Sequence, residues 1–137
     1  MQWKDDYCIG ITAIDDQHRQ IFSHLLSIEN ALDKRDPWHI VRFLFAQLSD
    51  YLKFHFAVEE AMLEIVHYPT SDHHRAAHGQ LVQQLATLET AVKESGSDKQ
   101  LVEFFESWFV QHVLSSDVHY AAYTREHFPV LVDKPPH

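Results

Sequence analysis

Apolar residues recur along most of this chain at steps of three and four, which is the spacing of one face of an α-helix. Three short breaks divide the pattern, and each combines Pro or Gly with residues that begin or end helices. They are Asp36-Pro37, Tyr68-Pro69-Thr70 and Glu94-Ser95-Gly96-Ser97. In the first break, Asp36 is the predicted N-cap and Pro37 the first helical residue. The pattern predicts helices over residues 14–34, 37–67, 70–94, 98–116 and 118–127.

The connections between the first four segments are short, so consecutive helices should run antiparallel. This predicts an all-α fold, an up-down-up-down antiparallel four-helix bundle with an N-terminal arm and a short C-terminal helix. Trp3 and Ile9-Gly10-Ile11 should attach the arm to the bundle. We expect a single domain over residues 1–137, which consists of the arm (1–13), the bundle (14–116) and a short helix with a tail (117–137).

Histidine interrupts the apolar stripe of each of the four long segments, and the second segment adds a carboxylate. Burying a polar side chain without a partner costs about 2–7 kcal/mol, so these residues should be partners of one another. His73 directly precedes His74, but the step of four to His78 favours His74 as the core residue. The interrupting residues are His18, His55, Glu59, His74, His78 and His112.

These six side chains are predicted to lie at one level of the bundle. In an antiparallel hairpin, residues equally far from the turn lie side by side. Glu59 and His78 are each about 10 residues from the break at 68–69, and the other pairs match within a few residues. At 1.5 Å per residue, these differences amount to only a few ångströms. Five imidazoles and a carboxylate in one core layer indicate a metal site.

Asp117 is the predicted second carboxylate of this layer. It follows His112 by five residues, which is about 140° around a regular α-helix. Both side chains can face one site only if the helix ends, tightens or bulges between them. Ser115-Ser116 is the expected place for that irregularity.

Composition narrows the classes of function. The chain has 137 residues, of which 45% are apolar, and 20 Asp and Glu outnumber 11 Lys and Arg. A net charge of −9 argues against nucleic acid and against contact with an anionic membrane. The single Cys8 excludes an intrachain disulfide and a multi-cysteine metal site. The first residues lack the apolar region of a signal peptide, so we expect a cytoplasmic protein.

The ordered motifs resemble those of the hemerythrin family, most closely the single-domain bacteriohemerythrins. The resemblance covers nearly the whole chain. Its motifs are Trp3, Gly10-Ile11-Thr12-Ala13-Ile14-Asp15-Asp16-Gln17-His18, His55-Phe56-Ala57-Val58-Glu59-Glu60, Tyr68-Pro69, the pair His74 and His78, Trp108, and His112 with Asp117.

The resemblance implies a cofactor of two non-haem Fe ions joined by an oxo or hydroxo bridge. His74, His78 and His112 would hold one iron, and His18 and His55 the other. Glu59 and Asp117 would bridge the pair. The iron with fewer histidines would then be five-coordinate.

The family function implied for this chain is reversible O2 binding, with O2 held as hydroperoxide at the five-coordinate iron. Carriage, storage and sensing share such a site, and a fused or partner signalling module is compatible with it. NO, azide and other small anions are further expected ligands. Phe56, Trp108 and Val113 fall on the family's pocket-lining positions. Phe109, Ser115 and Ser116 are a less usual combination beside the site.

Other functions agree less well with these residues. No acid–base pair beyond the ligands supports the alternative of a di-iron peroxidase, oxidase or NO-handling enzyme, so we expect a binding protein. Phosphotransfer needs one exposed histidine, whereas these lie on core stripes. Zinc sites are normally four-coordinate and do not use seven ligands. The histidines assigned to the solvated surface are His24, His39, His67, His73, His119, His127 and His137.

Overall fold

The computed structural model describes residues 3–92 and 98–132, except for the side chains of residues 91, 92, 98–102, 104, 105, 113 and 114. The predicted helix end at Glu94-Ser95-Gly96-Ser97 and His137 lie outside the described residues. The helices are α1 (Thr12–Asp33), α2 (Trp38–Ile65), α3 (Ser71–Val92), α4 (Asp98–His112) and α5 (Val118–His127), with a π-helical turn at Val113–Asp117 between the last two. Short 3-10 turns occupy Asp5–Tyr7 and Pro129–Leu131.

The four long helices form a closed set of neighbours. Helix α1 packs against α2 and α4, and α3 packs against the same two. The described part of the chain contains no β-strand, which agrees with the predicted all-α class and with a helical bundle. None of the described helices is both long and apolar enough to cross a membrane.

The ends of α1 and α2 use left-handed residues that are not glycine. Arg35 has φ 56° and His67 has φ 52°. In each case the amide of the following residue donates a hydrogen bond to the carbonyl five residues earlier. Asp36 donates to Ala31 at 2.9 Å, and Tyr68 donates to Leu63 at 3.0 Å. This is the Schellman motif, which satisfies carbonyls that a helix end leaves free.

The predicted cap at the start of α2 was wrong by one residue. Pro37 has extended ψ (145°) and is itself the N-cap, so α2 begins at Trp38. The amide of Asp36 is already bound to the end of α1, and the Pro37 carbonyl accepts the Ile40 amide at 2.9 Å. The other helix ends that lie within the described residues agree with the prediction within two residues, except that the predicted helix 98–116 ends as α-helix at His112. The predicted end of the third helix at residue 94 is not among them.

The N-terminal arm is attached as predicted. Both oxygens of the buried Asp15 carboxylate accept backbone amides, from Ile9 at 2.8 Å and from Gly10 at 3.2 Å. Gly10 has φ 92°, in the left-handed region that favours glycine. The Trp3 ring packs edge-on against Phe22 of α1, with centroids 5.3 Å apart.

A pair of carboxyl groups joins α1 to α4 away from these contacts. Burial, followed by the hydrogen bond and charge of Glu29, raises the pKa of Glu106 to about 7. A carboxyl group whose pKa is raised on folding reduces stability as the pH rises from its unfolded value through the folded one. This pair therefore lowers stability as the pH rises from about 4.5 to about 7.

Glu106→Gln should stabilise the protein above pH 7 by about 1 kcal/mol, after allowance for screening by solvent. Near pH 4.5 it should have little effect, because Glu106 is then protonated and the amide can replace its hydrogen bond. Urea unfolding of both proteins at pH 5 and pH 8 measures the difference. The same difference at both pH values would contradict this account of the pair.

Candidate metal centre

All seven residues predicted as ligands lie together in the core. Each has at most 6% of its surface exposed. Helix α1 supplies one, α2 and α3 supply two each, α4 ends on one, and the π turn ends on the last. In that order they are His18, His55, Glu59, His74, His78, His112 and Asp117.

One group of ligand atoms surrounds one oxygen of each carboxylate. Oε1 of Glu59 lies 2.6 Å from Nε2 of His74 and 3.1 Å from Nε2 of His78. Oδ1 of Asp117 lies 3.1 Å from Nε2 of His112 and 3.3 Å from Nε2 of His74. Three imidazoles therefore converge on the same side of the two carboxylates.

The other oxygen of each carboxylate faces a second group. Oε2 of Glu59 lies 3.1 Å from Nε2 of His55, and Oδ2 of Asp117 lies 3.1 Å from Nε2 of His18. The His18 and His55 rings are 4.8 Å apart, centroid to centroid. Glu59 thus presents one oxygen to three histidines and the other to two. Asp117 presents one oxygen to His74 and His112 and the other to His18.

The π turn allows His112 and Asp117 to face the same site although they are five residues apart. A π-helix has a wider turn than an α-helix, closed by i→i+5 hydrogen bonds, so residues five apart come onto one face. The turn spans Val113–Asp117, and the Ser115 hydroxyl donates to the Gln111 carbonyl at 2.8 Å inside it. The predicted irregularity near Ser115-Ser116 is confirmed.

Buried polar atoms in this layer lack partners that a cation would supply. Two acceptor atoms each about 2.1 Å from one ion and at right angles lie about 3 Å apart, which is the separation seen here. Two groups of residues each have ligand atoms that all lie within 4.8 Å of one another. The first group is Glu59, His74, His78 and His112, and the second is His18, His55, Glu59 and Asp117. The buried atoms without a hydrogen bond include Nε2 of His18, His55, His78 and His112, Oε2 of Glu59 and both carboxylate oxygens of Asp117.

Protonation of the metal-free cluster follows from its shared carboxylates. Burial alone would lower the pKa of His74, but the Asp117 and Glu59 carboxylates beside its ring outweigh it and raise that pKa to about 9. Burial opposes ionisation of Glu59, yet the surrounding imidazoles of His55, His74 and His78 lower its pKa. Metal-free protein therefore holds protons where a cation would otherwise sit.

Gln17 and Glu60, which are not among the seven, contact the ligands, and the sequence assigned no role to Gln17. Nδ1 of His55 donates to Oε1 of Gln17 at 2.7 Å, which leaves Nε2 free to face Glu59. Oε1 of Glu60 lies 3.6 Å from Nδ1 of His78. Gln17 directly precedes the candidate ligand His18 in the sequence, and this is the only sequence feature that could have indicated its role.

Aromatic rings cover the cluster. Phe56 stacks on His78 with centroids 3.9 Å apart, and Trp108 stacks on His112 at 4.9 Å. The backbone of Val113 lies in the π turn, but its side chain is outside the described residues. Phe109 is fully buried with its ring edge-on to His18 at 5.4 Å. It therefore covers the two-histidine group.

Tyr120 on α5 was not predicted as part of the site. It is fully buried, and its ring lies 5.5 Å from that of His74. Burial, followed by the charges of Glu59 and Asp117, raises the pKa of Tyr120 well above 10. The phenol therefore stays protonated beside the carboxylates.

The exposed histidines lie apart from the core layer. His39, His67, His73, His119 and His127 are exposed, as predicted, and His24 is half-buried. A cavity of about 300 Å³ reaches inward to the edge of His74. It is lined by Tyr68, Thr70, His73, His74, Ala77, Ser115, Ser116 and His119.

Comparison with known proteins finds a family of cation-binding domains. The family model described as the hemerythrin HHE cation binding domain matches residues 9–123. A bacteriohemerythrin of Clostridium acetobutylicum is 28% identical over 127 residues, which cover 86% of this chain and 96% of the relative. A bacteriohemerythrin of Stenotrophomonas maltophilia is 29% identical, covering 91% and 82%, and a hemerythrin-like protein of Naegleria gruberi is 28% identical, covering 86% and 88%.

Proposed function

Since the chain belongs to the hemerythrin family, we propose that it binds O2 reversibly at a non-haem di-iron centre, for oxygen carriage, storage or sensing. The observation that carries the proposal is that Glu59 belongs to both a three-histidine and a two-histidine group, and that Asp117 directs one oxygen to His112 and the other to His18. Such sharing brings two ions close together and makes their environments unequal.

The ligand assignment follows from which oxygen faces which imidazole. His74, His78 and His112 would hold one iron, and His18 and His55 the other. Glu59 and Asp117 would bridge them, since each has one oxygen about 3 Å from a nitrogen of either group.

The unequal groups leave room for one small ligand. If both carboxylates and one further oxygen were shared between two ions, the three-histidine group would provide six ligands and the two-histidine group five of the six usual for iron. When bound, the two ferrous ions supply the electrons that hold O2. NO and azide, which are also small, should compete for the same position.

The surrounding side chains favour binding over catalysis. Phe109 and Phe22 pack edge-on at 5.4 Å and exclude water from the His18 side, and Phe56, Trp108 and Val113 are the other proposed pocket residues. Among the described residues of the site, Tyr120 is a buried phenol whose raised pKa keeps it from acting as a base near neutral pH.

An oxygen electrode distinguishes binding from turnover. Anaerobically reduced protein, mixed with excess O2 and excess ascorbate, should take up about one O2 per chain and then stop. Release of the same amount on lowering the O2 pressure would support binding. Continued consumption that scales with ascorbate would overturn the proposal in favour of an oxidase.

Gln17→Leu should speed the loss of iron to a chelator by roughly 10–100-fold, because the His55 ring would lose the acceptor that fixes its orientation. Gln17→Glu, which retains an acceptor oxygen at the same reach, is the matched control and should release iron at nearly the original rate. Release is followed by the absorbance of a ferrous chelate. Equal release from both variants would exclude a positioning role for Gln17.

A further inference from the structure

A polar cavity leads from the surface to one of the candidate ligands. It is the cavity of about 300 Å³ described above, and it lies between the start of α3, the π turn and α5. At its inner end lies His74, which is 5% exposed. Seven of its eight lining residues have polar side chains, and the eighth is Ala77. Solvent therefore reaches the buried layer here over a polar surface.

Aromatic rings cover the ligands on other sides. Phe56 lies flat on His78, with 11° between the ring planes, and Trp108 lies flat on His112, with 8° between them. The two-histidine group has no exposed surface. An ion that carries water molecules would have to lose them to pass between apolar rings, which is costly. The polar cavity does not impose that cost.

One imidazole ring separates the cavity from both shared carboxylates. Nε2 of His74 lies 2.6 Å from Oε1 of Glu59 and 3.3 Å from Oδ1 of Asp117. Rotation of this side chain to another staggered position would open both carboxylates to the cavity without movement of a helix. An ion that passes His74 would therefore meet two negatively charged ligands at once.

The lining can pass a divalent cation inward but is not built to retain one. His73 and His119 supply imidazole nitrogen, which suits ferrous iron, and the hydroxyl groups can accept hydrogen bonds from its water molecules. Within the described residues, three or more ligands close enough to hold an ion occur only in the two core groups, and neither histidine belongs to them. The two carboxylates and the net charge of −9 oppose an anion.

We propose that ferrous iron enters the centre through this cavity, where His73 and His119 bind it transiently and His74 moves aside to admit it. The inference rests on the di-iron centre of the proposed function but not on O2 binding. Entry and exit share one path, so an obstruction slows both by the same factor and leaves the affinity unchanged. Loss of a ligand would instead weaken the affinity, mainly through faster release.

Ala77→Phe tests the path by filling the cavity. The metal-free variant should take up ferrous iron about tenfold more slowly than the wild type, and the loaded variant should release iron to a chelator more slowly by the same factor. The final iron content should equal that of the wild type. Timed desalting followed by iron analysis measures uptake, and the absorbance of a ferrous chelate measures release.

Ala76→Phe is the matched control for this variant. Ala76 is adjacent to Ala77 on α3 but is exposed and does not line the cavity, so its variant should load and release iron like the wild type. Helical circular dichroism verifies that both variants fold. Wild-type uptake by Ala77→Phe, or slower uptake together with faster release, would overturn the path. A wild-type chain that takes up no iron would contradict the proposed function as well.

Removing the two imidazoles tests transient binding while the cavity stays open. The initial rate of uptake by the wild type should saturate as the ferrous iron concentration rises, because the cavity fills before His74 moves. In the double variant His73→Gln, His119→Gln the rate should be lower and should rise linearly. His39→Gln is the matched control, since His39 is exposed at the start of α2. Saturation in the double variant at the same iron concentration as in the wild type would exclude a role for these imidazoles.

Discussion

Glu59→Gln should reduce bound iron from about two ions per chain to less than one. Glu59 is fully buried and directs one oxygen to each histidine group, at 2.6 Å from His74 and 3.1 Å from His55. The amide keeps the size of the side chain but removes the negative charge and one acceptor oxygen. Both ions therefore lose a ligand to a single substitution.

Metal analysis of protein reconstituted anaerobically with ferrous iron measures this loss. Glu60→Gln is the matched control, since Glu60 is the adjacent carboxylate and is half-buried. Of the seven candidate ligands it contacts only His78, at Nδ1. It should retain about two ions. Full occupancy in Glu59→Gln, with wild-type resistance to a chelator, would show that Glu59 does not bridge.

Removing the metal should lower the free energy of unfolding by about 4 kcal/mol when free metal stands near 1,000 times its dissociation constant. Metal binds the folded chain, in which seven ligands converge, and the unfolded chain offers no such site. Urea unfolding of the loaded and metal-free protein measures the difference. Identical curves would mean that no metal occupies the buried layer.

The metal-free protein should also lose stability as the pH rises from 6.5 through about 9. The pKa of His74 is raised to about 9, so its contribution is complete below 6.5, the unfolded value, and is lost as the folded group deprotonates. The change should be on the order of 2–3 kcal/mol. Metal-loaded protein should not show this loss, because metal binding requires neutral imidazoles.

His74→Gln should abolish this alkaline loss in the metal-free protein. His73→Gln is the matched control: His73 is exposed and adjacent in sequence, and its variant should lose stability with pH as the wild type does. Urea unfolding at pH 6.5 and pH 9 measures both. A wild-type profile in His74→Gln would assign the pH dependence to other groups.

Helical periodicity was sufficient to predict the α-helices and to bring six of the seven candidate ligands into one layer. The reason is physical, since a buried histidine or carboxylate on an apolar stripe requires a partner. Spacing also predicted an irregular turn before Asp117, because five residues of regular α-helix would turn that side chain away from His112. The structure has a π turn there.

Contacts set by tertiary packing were not predictable from periodicity. Gln17 is half-buried at the edge of α1, and its role depends on the position of His55 in α2. Tyr120 lies beyond the π turn, so its burial beside His74 depends on how far that turn rotates α5. The helix ends at Arg35 and His67 use left-handed residues without glycine, so the usual sequence signal for such an end was missing.

The exposed apolar residues of α2 were not predicted from the sequence, for a different reason. Apolar residues occur on two sides of that helix, and the core side accounts for the regular steps of three and four. Phe43, Phe54 and Ile65 fall between those steps and become noticeable only as exposed side chains.

The absorption spectrum of the reduced protein before and after O2 is admitted tests the central claim most directly. Protein carrying about two irons per chain should be colourless when reduced, develop a visible charge-transfer band with O2, and lose that band under vacuum over repeated cycles. A band that forms once and persists under vacuum, or protein that takes up only zinc or no metal, would contradict reversible O2 binding at a di-iron centre.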